Sequence, residues 1–291
     1  MFSISQLTQF SGIKPHTIRM WEHRYNALKP SRSDGNTRYY DNSQLRRLLN
    51  IVSLMERDYK ISQLCSMTDK ELFKLVAGFM SDRASNEPTE YFVAQLIAAG
   101  MSYDEIHFEK IFSHCLLWYG VKNTYIKVIY PMLLRIGLMW ASDSIPPAHE
   151  HYISNLLRQK LFTAIDSLPP SKVTSETWLL FLPENEFHEI GLLLANYLIR
   201  SAGRNVIYLG RNVPLNSLLT SIKDTRPENL LFFLVHNDLP DDTQEYCNKL
   251  SVAFKGKKIY MSGNHKLISQ VKTDKKIGWL QSVESLEEVL S

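Results

Sequence analysis

Glu186, His188 and Gly191 stand at a spacing that can do coordination chemistry. A carboxylate two residues ahead of an imidazole can hold one ring nitrogen, which fixes the tautomer and offers the other nitrogen to a metal. The glycine three residues on can open a helix directly behind the loop. A second set belongs to a different chemistry. His16, Arg19 and His23 recur at helical spacing on the side opposite Ile18, Trp21 and Tyr25, the division expected of a helix buried on one face and reading a major groove with the other. Thr17 and Arg24 lie on the same helix, and Arg32, Arg38 and Tyr39 continue the strip beyond it, where cationic side chains suit phosphates.

The elements that must position these residues follow from pattern. Ile4, Leu7 and Phe10 repeat as a helix that Gly12 can stop, and Pro15 suits the first turn of the next. A turn at Gly35 and Asn36 then separates two short basic arms of a wing. Leu45, Leu48, Leu49, Val52 and Met55 predict a helix packed on this hairpin, and another short helix begins near Lys60. Four helices are expected at 87–99, 102–118, 121–139 and 147–166, a four-helix bundle. The Pro169-Pro170-Ser171 step cannot be helical and reads as a linker. Beyond it, apolar runs at 178–182, 206–209, 230–235, 258–261 and 277–280 alternate with helical patterns. Continuous apolar strands between helices predict a parallel sheet covered on both faces, a doubly wound α/β domain that binds ligands at the carboxyl ends of its strands. The Glu186 to Gly191 stretch follows the first of those ends. On the helix behind it Ile190, Leu193, Leu194, Tyr197 and Leu198 form the apolar face, Asn196 and Arg200 are expected to point away, and Gly203 stops it.

Charge separates the same parts. Residues 1–70 hold 11 Lys and Arg against 6 Asp and Glu, whereas the remaining 221 hold 22 against 24, so the excess of a chain with net charge +3 sits in the first segment. With 291 residues and 44% hydrophobic content the chain can bury two or three cores. There is no apolar run behind a charged start and no uninterrupted apolar stretch near 18 residues, so neither signal peptide nor membrane span is expected, and the cytoplasm is the expected address. Cys65, Cys115 and Cys247 are odd in number and far apart, which argues against a disulfide framework or a cysteine zinc site and for buried thiols. His149 and His265 read as solvent-exposed.

The run of Thr17, Ile18, Arg19, Trp21, Glu22, Arg24, Tyr25, Leu28, Pro30, Arg38 and Tyr39 resembles the winged DNA-binding domain of the MerR family over about residues 1–75. That resemblance implies an operator duplex as partner and a regulator that works as a dimer or tetramer; an extended heptad run for dimerisation is missing. Glu186, His188 and Gly191 resemble the Asp/Glu-x-His-x-x-Gly motif of cobalamin-binding domains, which implies His188 as lower axial ligand of cobalt. Trp140, nine residues, then Glu150-His151 resembles the helical cap of cobalamin-dependent, light-sensing repressors of the MerR class, implying that these three cover the upper face of adenosylcobalamin. Three positions depart from the pattern. His236-Asn237-Asp238 stands where a Ser-x-Leu is usual, Ser262-Gly263 where Gly-Gly is usual, and Ala141 where several light sensors carry a His.

The expected organisation is therefore a winged helix-turn-helix at 1–75, a cap-like four-helix bundle at 76–170 and a Rossmann-like, flavodoxin-like α/β domain at 171–291. The expected function is DNA-binding transcription regulation, a repressor sensing adenosylcobalamin and light through it, with no catalytic residues. Two alternatives stay open: the same regulator with a cofactor-free α/β domain used for oligomerisation, and a corrinoid enzyme subunit, which would need a substrate barrel that no segment is long enough to form.

Overall fold

Ser3 starts the first helix, α1 (Ile4–Ser11), by a reciprocal cap: its hydroxyl accepts from the Gln6 amide at 3.3 Å while the Gln6 side chain accepts from the Ser3 N–H at 2.5 Å. In this computed structural model, which describes residues 2–32, 36–55, 59–78, 89–141, 145–171, 175–235, 243–271 and 277–291, Gly12 ends α1 at φ 71°. Pro15 opens α2 (Pro15–Tyr25), which buries Ile18 and Trp21 and ends on Asn26 in the left-handed conformation. Strands β1 (Ser31–Arg32) and β2 (Arg38–Tyr39) pair antiparallel as the wing, Arg32 opposite Arg38. Gly35 of the expected turn lies outside the described residues, and Asn36 has the positive φ that such a turn uses.

Helix α3 (Asn42–Met55) buries Leu45, Leu48, Leu49 and Val52 as expected, but Met55 is exposed because the last turn runs past the core. Two short helices follow, α4 (Ile61–Ser66) and α5 (Asp69–Gly78). Arg47 of α3 gathers this region: its guanidinium donates to the carbonyls of Ala27, Cys65 and Met67 at 2.7 to 2.9 Å and pairs with Asp69 at 2.6 Å.

The four expected helices are present as α6 (Thr89–Met101), α7 (Glu105–Thr124), α8 (Tyr130–Ala141) and α9 (Pro147–Asp166). Every residue of α6 from Phe92 to Met101 is buried, the mark of a helix covered on all sides. Helix α7 begins three residues later than expected, since Tyr103 takes a positive φ and Asp104 caps the helix through the His107 N–H. Gly120 breaks α7 where two helices were expected to meet, and a π turn at Tyr125–Ile129 precedes Pro131, which has no N–H to give to an α-helical ladder.

The chain divides into two compact units, Met1–Asn155 and Leu156–Ser291. The first two segments form one unit because α3 lies along α6, where the buried Gln95 amide donates to Asn50 at 2.6 Å and accepts from His107 at 3.0 Å. The division between these units falls within α9.

The second unit is the doubly wound domain. Its five strands, β3 (Thr177–Pro183), β4 (Asn205–Val213), β5 (Asn229–Leu234), β6 (Lys258–Gly263) and β7 (Ile277–Trp279), are all parallel in the order β4-β3-β5-β6-β7. Helices α10 (Ile190–Ser201) and α14 (Val283–Leu290) pack one face around Trp178, Leu180 and Leu231. Helices α11 (Leu215–Thr225), α12 (Thr243–Ala253) and α13 (His265–Ile268) pack the other around Phe181, Leu230 and Phe232. Strand order reverses between β3 and β5, which sets the ligand crevice at their carboxyl ends. Asn196 of α10 is buried, not directed outward: it accepts from Arg200, which also donates to the Val206 carbonyl, so the two satisfy each other against β4.

Candidate functional site

On α2 the buried Ile18 and Trp21 leave His16, Arg19, His23 and Arg24 exposed together, with Thr17 half-buried at the edge. The wing is fastened to this helix by Glu22, which sequence reasoning had noted only as part of a motif. Its carboxylate accepts the Tyr40 hydroxyl at 2.5 Å and pairs with Arg38 at 3.2 Å. Burial and the facing Glu22 push the Tyr40 phenol well above its ordinary range, so it stays a donor. Arg38 therefore supports the wing as well as edging the surface, whereas Arg32 and Tyr39 are exposed and Arg32 donates to Asn36. Met20 is also exposed on this face, at 41%, and was missed because a lone Met in a helical run reads as core.

Within the same unit Trp140 lies in the last turn of α8 and is 44% exposed. Glu150 and His151 come together in the first turn of α9: Glu150 accepts from Ser154 at 2.5 Å and lies 2.8 Å from His151 Nδ1. His149, expected to be exposed, is half-buried and stacks on Tyr103 at 4.7 Å, and burial lowers its pKa.

In the second unit the loop between β3 and α10 brings Glu186 and His188 together. Glu186 is fully buried, its Oε1 accepting from the Phe187 and His188 N–H groups at 2.9 and 3.0 Å and its Oε2 from the Val235 N–H at 2.8 Å. The carboxylate thus bridges the ends of β3 and β5 at the reversal of strand order. Oε1 also meets His188 Nδ1 at 2.7 Å. A carboxylate already taking three backbone N–H groups acts as acceptor, so Nδ1 is the donor and Nε2 carries the lone pair. The His188 side chain is 50% exposed while its partner is covered, the arrangement of a ligand presented outward from a fixed base. Gly191 sits in the first turn of α10, where a Cβ would meet the Phe233 ring at 2.9 Å.

Two neighbours of this loop were not legible in sequence. Glu189 lies 3.2 Å from Arg158 of α9 and accepts the Tyr208 hydroxyl of β4 at 3.2 Å, with Arg211 at 4.0 Å. Burial, then Glu189, raises the Tyr208 phenol far above its usual value. These partners are 31 and 19 residues away, beyond any local motif. Of the two positions that stand where Gly-Gly is usual, the Ser262 hydroxyl donates to the Leu280 carbonyl at 2.8 Å, and Gly263, at φ 128°, lets its backbone approach Leu234 so closely that a Cβ would fall 2.2 Å from that carbonyl oxygen. His236, Asn237 and Asp238 lie outside the described residues, as does the Ala141 side chain. His265 is exposed as expected. All three cysteines are buried free thiols; burial raises Cys65 and Cys115 above the ordinary thiol range and pushes Cys247 up to about 11. No described helix is long and apolar enough to cross a membrane.

Comparison with known proteins gives family matches for two segments. Residues 2–70 match the MerR HTH family regulatory protein model and residues 92–164 the B12 binding domain model. Over 266 residues the chain is 25% identical to the HTH-type transcriptional repressor CarH of Myxococcus xanthus, covering 90% of this chain and 88% of that one. It is 24% identical over 248 residues to the repressor CarA of the same organism, covering 82% and 78%. Among solved structures, the monomethylamine corrinoid protein of Methanosarcina barkeri shares the fold at a TM-score of 0.52 and 15% identity, over 69% of this chain and 94% of that one.

Proposed function

From the premise that the chain is a MerR-type transcriptional regulator carrying a B12-binding domain, we propose that it binds operator DNA as a dimer or tetramer in the cytoplasm and senses adenosylcobalamin, and light through it, without catalysing a reaction. The observation that carries the sensor half is the Glu186–His188 pair: an outward imidazole held by a buried carboxylate at the reversal of a parallel sheet. This donor set fits cobalt, for which neutral imidazole is a suitable ligand.

His188 would hold the cobalt, Trp140, Glu150 and His151 would cover the cofactor, and Gly191, Ser262 and Gly263 would be further contacts to it. When bound, adenosylcobalamin supplies a cobalt–carbon bond that visible light cleaves. The chain's own part is orientation. Glu186 keeps Nδ1 protonated and the ring fixed, so Nε2 presents its lone pair in one direction. Trp140 offers apolar cover, and the Glu150–His151 pair offers hydrogen bonds. Regulation then follows from differential stabilisation: a ligand that binds better to one packing of protomers favours that packing, and so sets how many basic surfaces meet one operator. Repression relieved by light is the expected output.

The test is purified full-length protein incubated with adenosylcobalamin in the dark, desalted, and followed by absorbance and by retention of a selected duplex before and after green light. Corrinoid absorbance that stays with the protein, and duplex retention that changes on illumination, support the reading. No retained corrinoid refutes the sensor half.

A cofactor-free regulator is the second reading, favoured by the Ser262 hydroxyl being engaged by Leu280 within the sheet. His188→Ala leaving DNA binding and its control unchanged would decide for it. The corrinoid enzyme subunit is a third, and turnover of a methylated substrate by the purified chain would revive it.

A further inference from the structure

Glu189 follows the proposed ligand directly and is nine-tenths buried, and its side chain makes no cap hydrogen bond to the helix it opens. Its Oε1 lies 3.2 Å from the Arg158 guanidinium, a residue that is itself largely covered, and its Oε2 accepts the Tyr208 hydroxyl at 3.2 Å. Arg211 stands at 4.0 Å, so two guanidinium groups and a phenol converge on one carboxylate. A buried charge is tolerated only when it is paired and hydrogen-bonded in this way. The elements it joins matter. Glu189 belongs to the loop of His188, Tyr208 to β4, and Arg158 to α9, the same continuous helix whose first turn carries Glu150 and His151.

We propose that Glu189 is a positioning residue that fastens the His188 loop to the second-unit part of α9 through Arg158 and Tyr208, so that the imidazole is held at a fixed place beside that helix. The inference rests on the cobalamin reading of His188 and goes beyond it. Glu186 sets which way the ring faces; Glu189 sets where the loop stands relative to α9. Without the clamp the loop keeps its Glu186 hydrogen bonds but loses its tie to the helix, and the imidazole no longer meets a ligand at a fixed position. Partners of this outer kind change metal affinity by about tenfold or more when removed.

The experiment uses the full chain as wild type, Glu189→Gln, Arg158→Met, Tyr208→Phe and His188→Ala, with hydroxocobalamin as probe. Amide hydrogen exchange at residues 187–190 and 156–166 is read without corrinoid. Corrinoid retention is read by equilibrium dialysis, and axial nitrogen coupling by electron paramagnetic resonance after reduction to the cobalt(II) state. The expected result is faster exchange in both segments, about tenfold weaker retention and a blurred or lost single-imidazole coupling in Glu189→Gln and Arg158→Met, at unchanged helix content. Tyr208→Phe, which removes one hydroxyl, gives a smaller change in the same direction and serves if the other variants do not fold. Wild-type exchange, retention and coupling in the three clamp variants overturn the clamp while leaving His188 as ligand. His188→Ala that retains corrinoid as wild type does, or wild type that retains none, overturns the cobalamin reading, and the ligand-positioning role falls with it even where exchange is faster.

Discussion

The Glu186 carboxylate, itself fully buried, accepts three backbone N–H groups and one imidazole. Replacing it by alanine strands those donors at the junction of β3 and β5. Leaving buried donors unmatched costs about 1–3 kcal/mol each, reduced where the loop can relax. Glu186→Ala is therefore expected to destabilise the second unit by about 3 kcal/mol, read as a lowered urea midpoint. Glu186→Gln keeps an acceptor and is expected to lose less. Equal midpoints for wild type and Glu186→Ala would show that the carboxylate serves the ligand alone. At this scale sequence reasoning reached as far as local spacing reaches. Glu186 and His188 are two residues apart, so their pairing could be inferred from a loop. Asn196 with Arg200 is equally local, yet its burial was misread because a polar side chain on a helix was assigned to water before its partner was considered.

Element edges are set by single residues whose conformations only some side chains can adopt. Gly263 ends β6 at φ 128°, with Leu234 backbone against the place of its missing Cβ. Gly263→Ala adds both a disfavoured backbone region and a 2.2 Å contact with a carbonyl that is tied into the β5–β6 ladder. An expected loss of at least about 2 kcal/mol follows, measured by thermal melting; an unchanged melting temperature would refute the close approach. Helix α7 carries a different sensitivity. His107 accepts a place beside Gln95 where burial disfavours the imidazolium, and Arg46 and Lys110 add to this while Asp104 opposes it. His114 and His149 are lowered by burial as well. A folded-state pKa below the unfolded one means that the unfolded chain binds protons first. The stability concerned is fully present above the unfolded value, about 6.5, and is lost as pH falls through and below it. The melting temperature of the first unit is expected to drop between pH 7.5 and 5.5, and less so in His107→Gln, whose amide can still donate to Gln95. Identical pH profiles would remove His107 from the account. The break at Gly120 was legible from the residue type; the π turn before Pro131 was not, because it depends on how the chain resumes a helix after a missing donor.

Over the whole molecule, charge and packing divide the chain differently. The basic excess ends near residue 70, but the compact unit that bears it extends to Asn155, since α3 and α6 share a core and the Asn50–Gln95 amide pair. Composition could show the first boundary and had no means of showing the second, which depends on a contact 45 residues apart. The proposed DNA-reading face is therefore built on a compact unit about twice the length of the basic segment. Its binding should still be governed by the small basic part. Each phosphate neutralised by a Lys or Arg contributes about −0.9 to the slope of log affinity against log salt. Arg32→Ala is expected to weaken binding to random 30-base-pair duplexes and to a selected duplex by similar factors, and to flatten the slope by about 1. Arg19→Ala, at the exposed face of α2, is expected to cost about 1–3 kcal/mol on the selected duplex and to blur its preference over random DNA. Arg38→Ala combines a lost cation with the loss of the Glu22 pairing that holds the wing, so it should lower affinity for both duplexes more than its single charge accounts for. Fluorescence anisotropy across a salt series separates these cases. A slope that Arg32→Ala leaves unchanged, together with a preference that Arg19→Ala leaves intact, would move the DNA contact away from α2 and the wing.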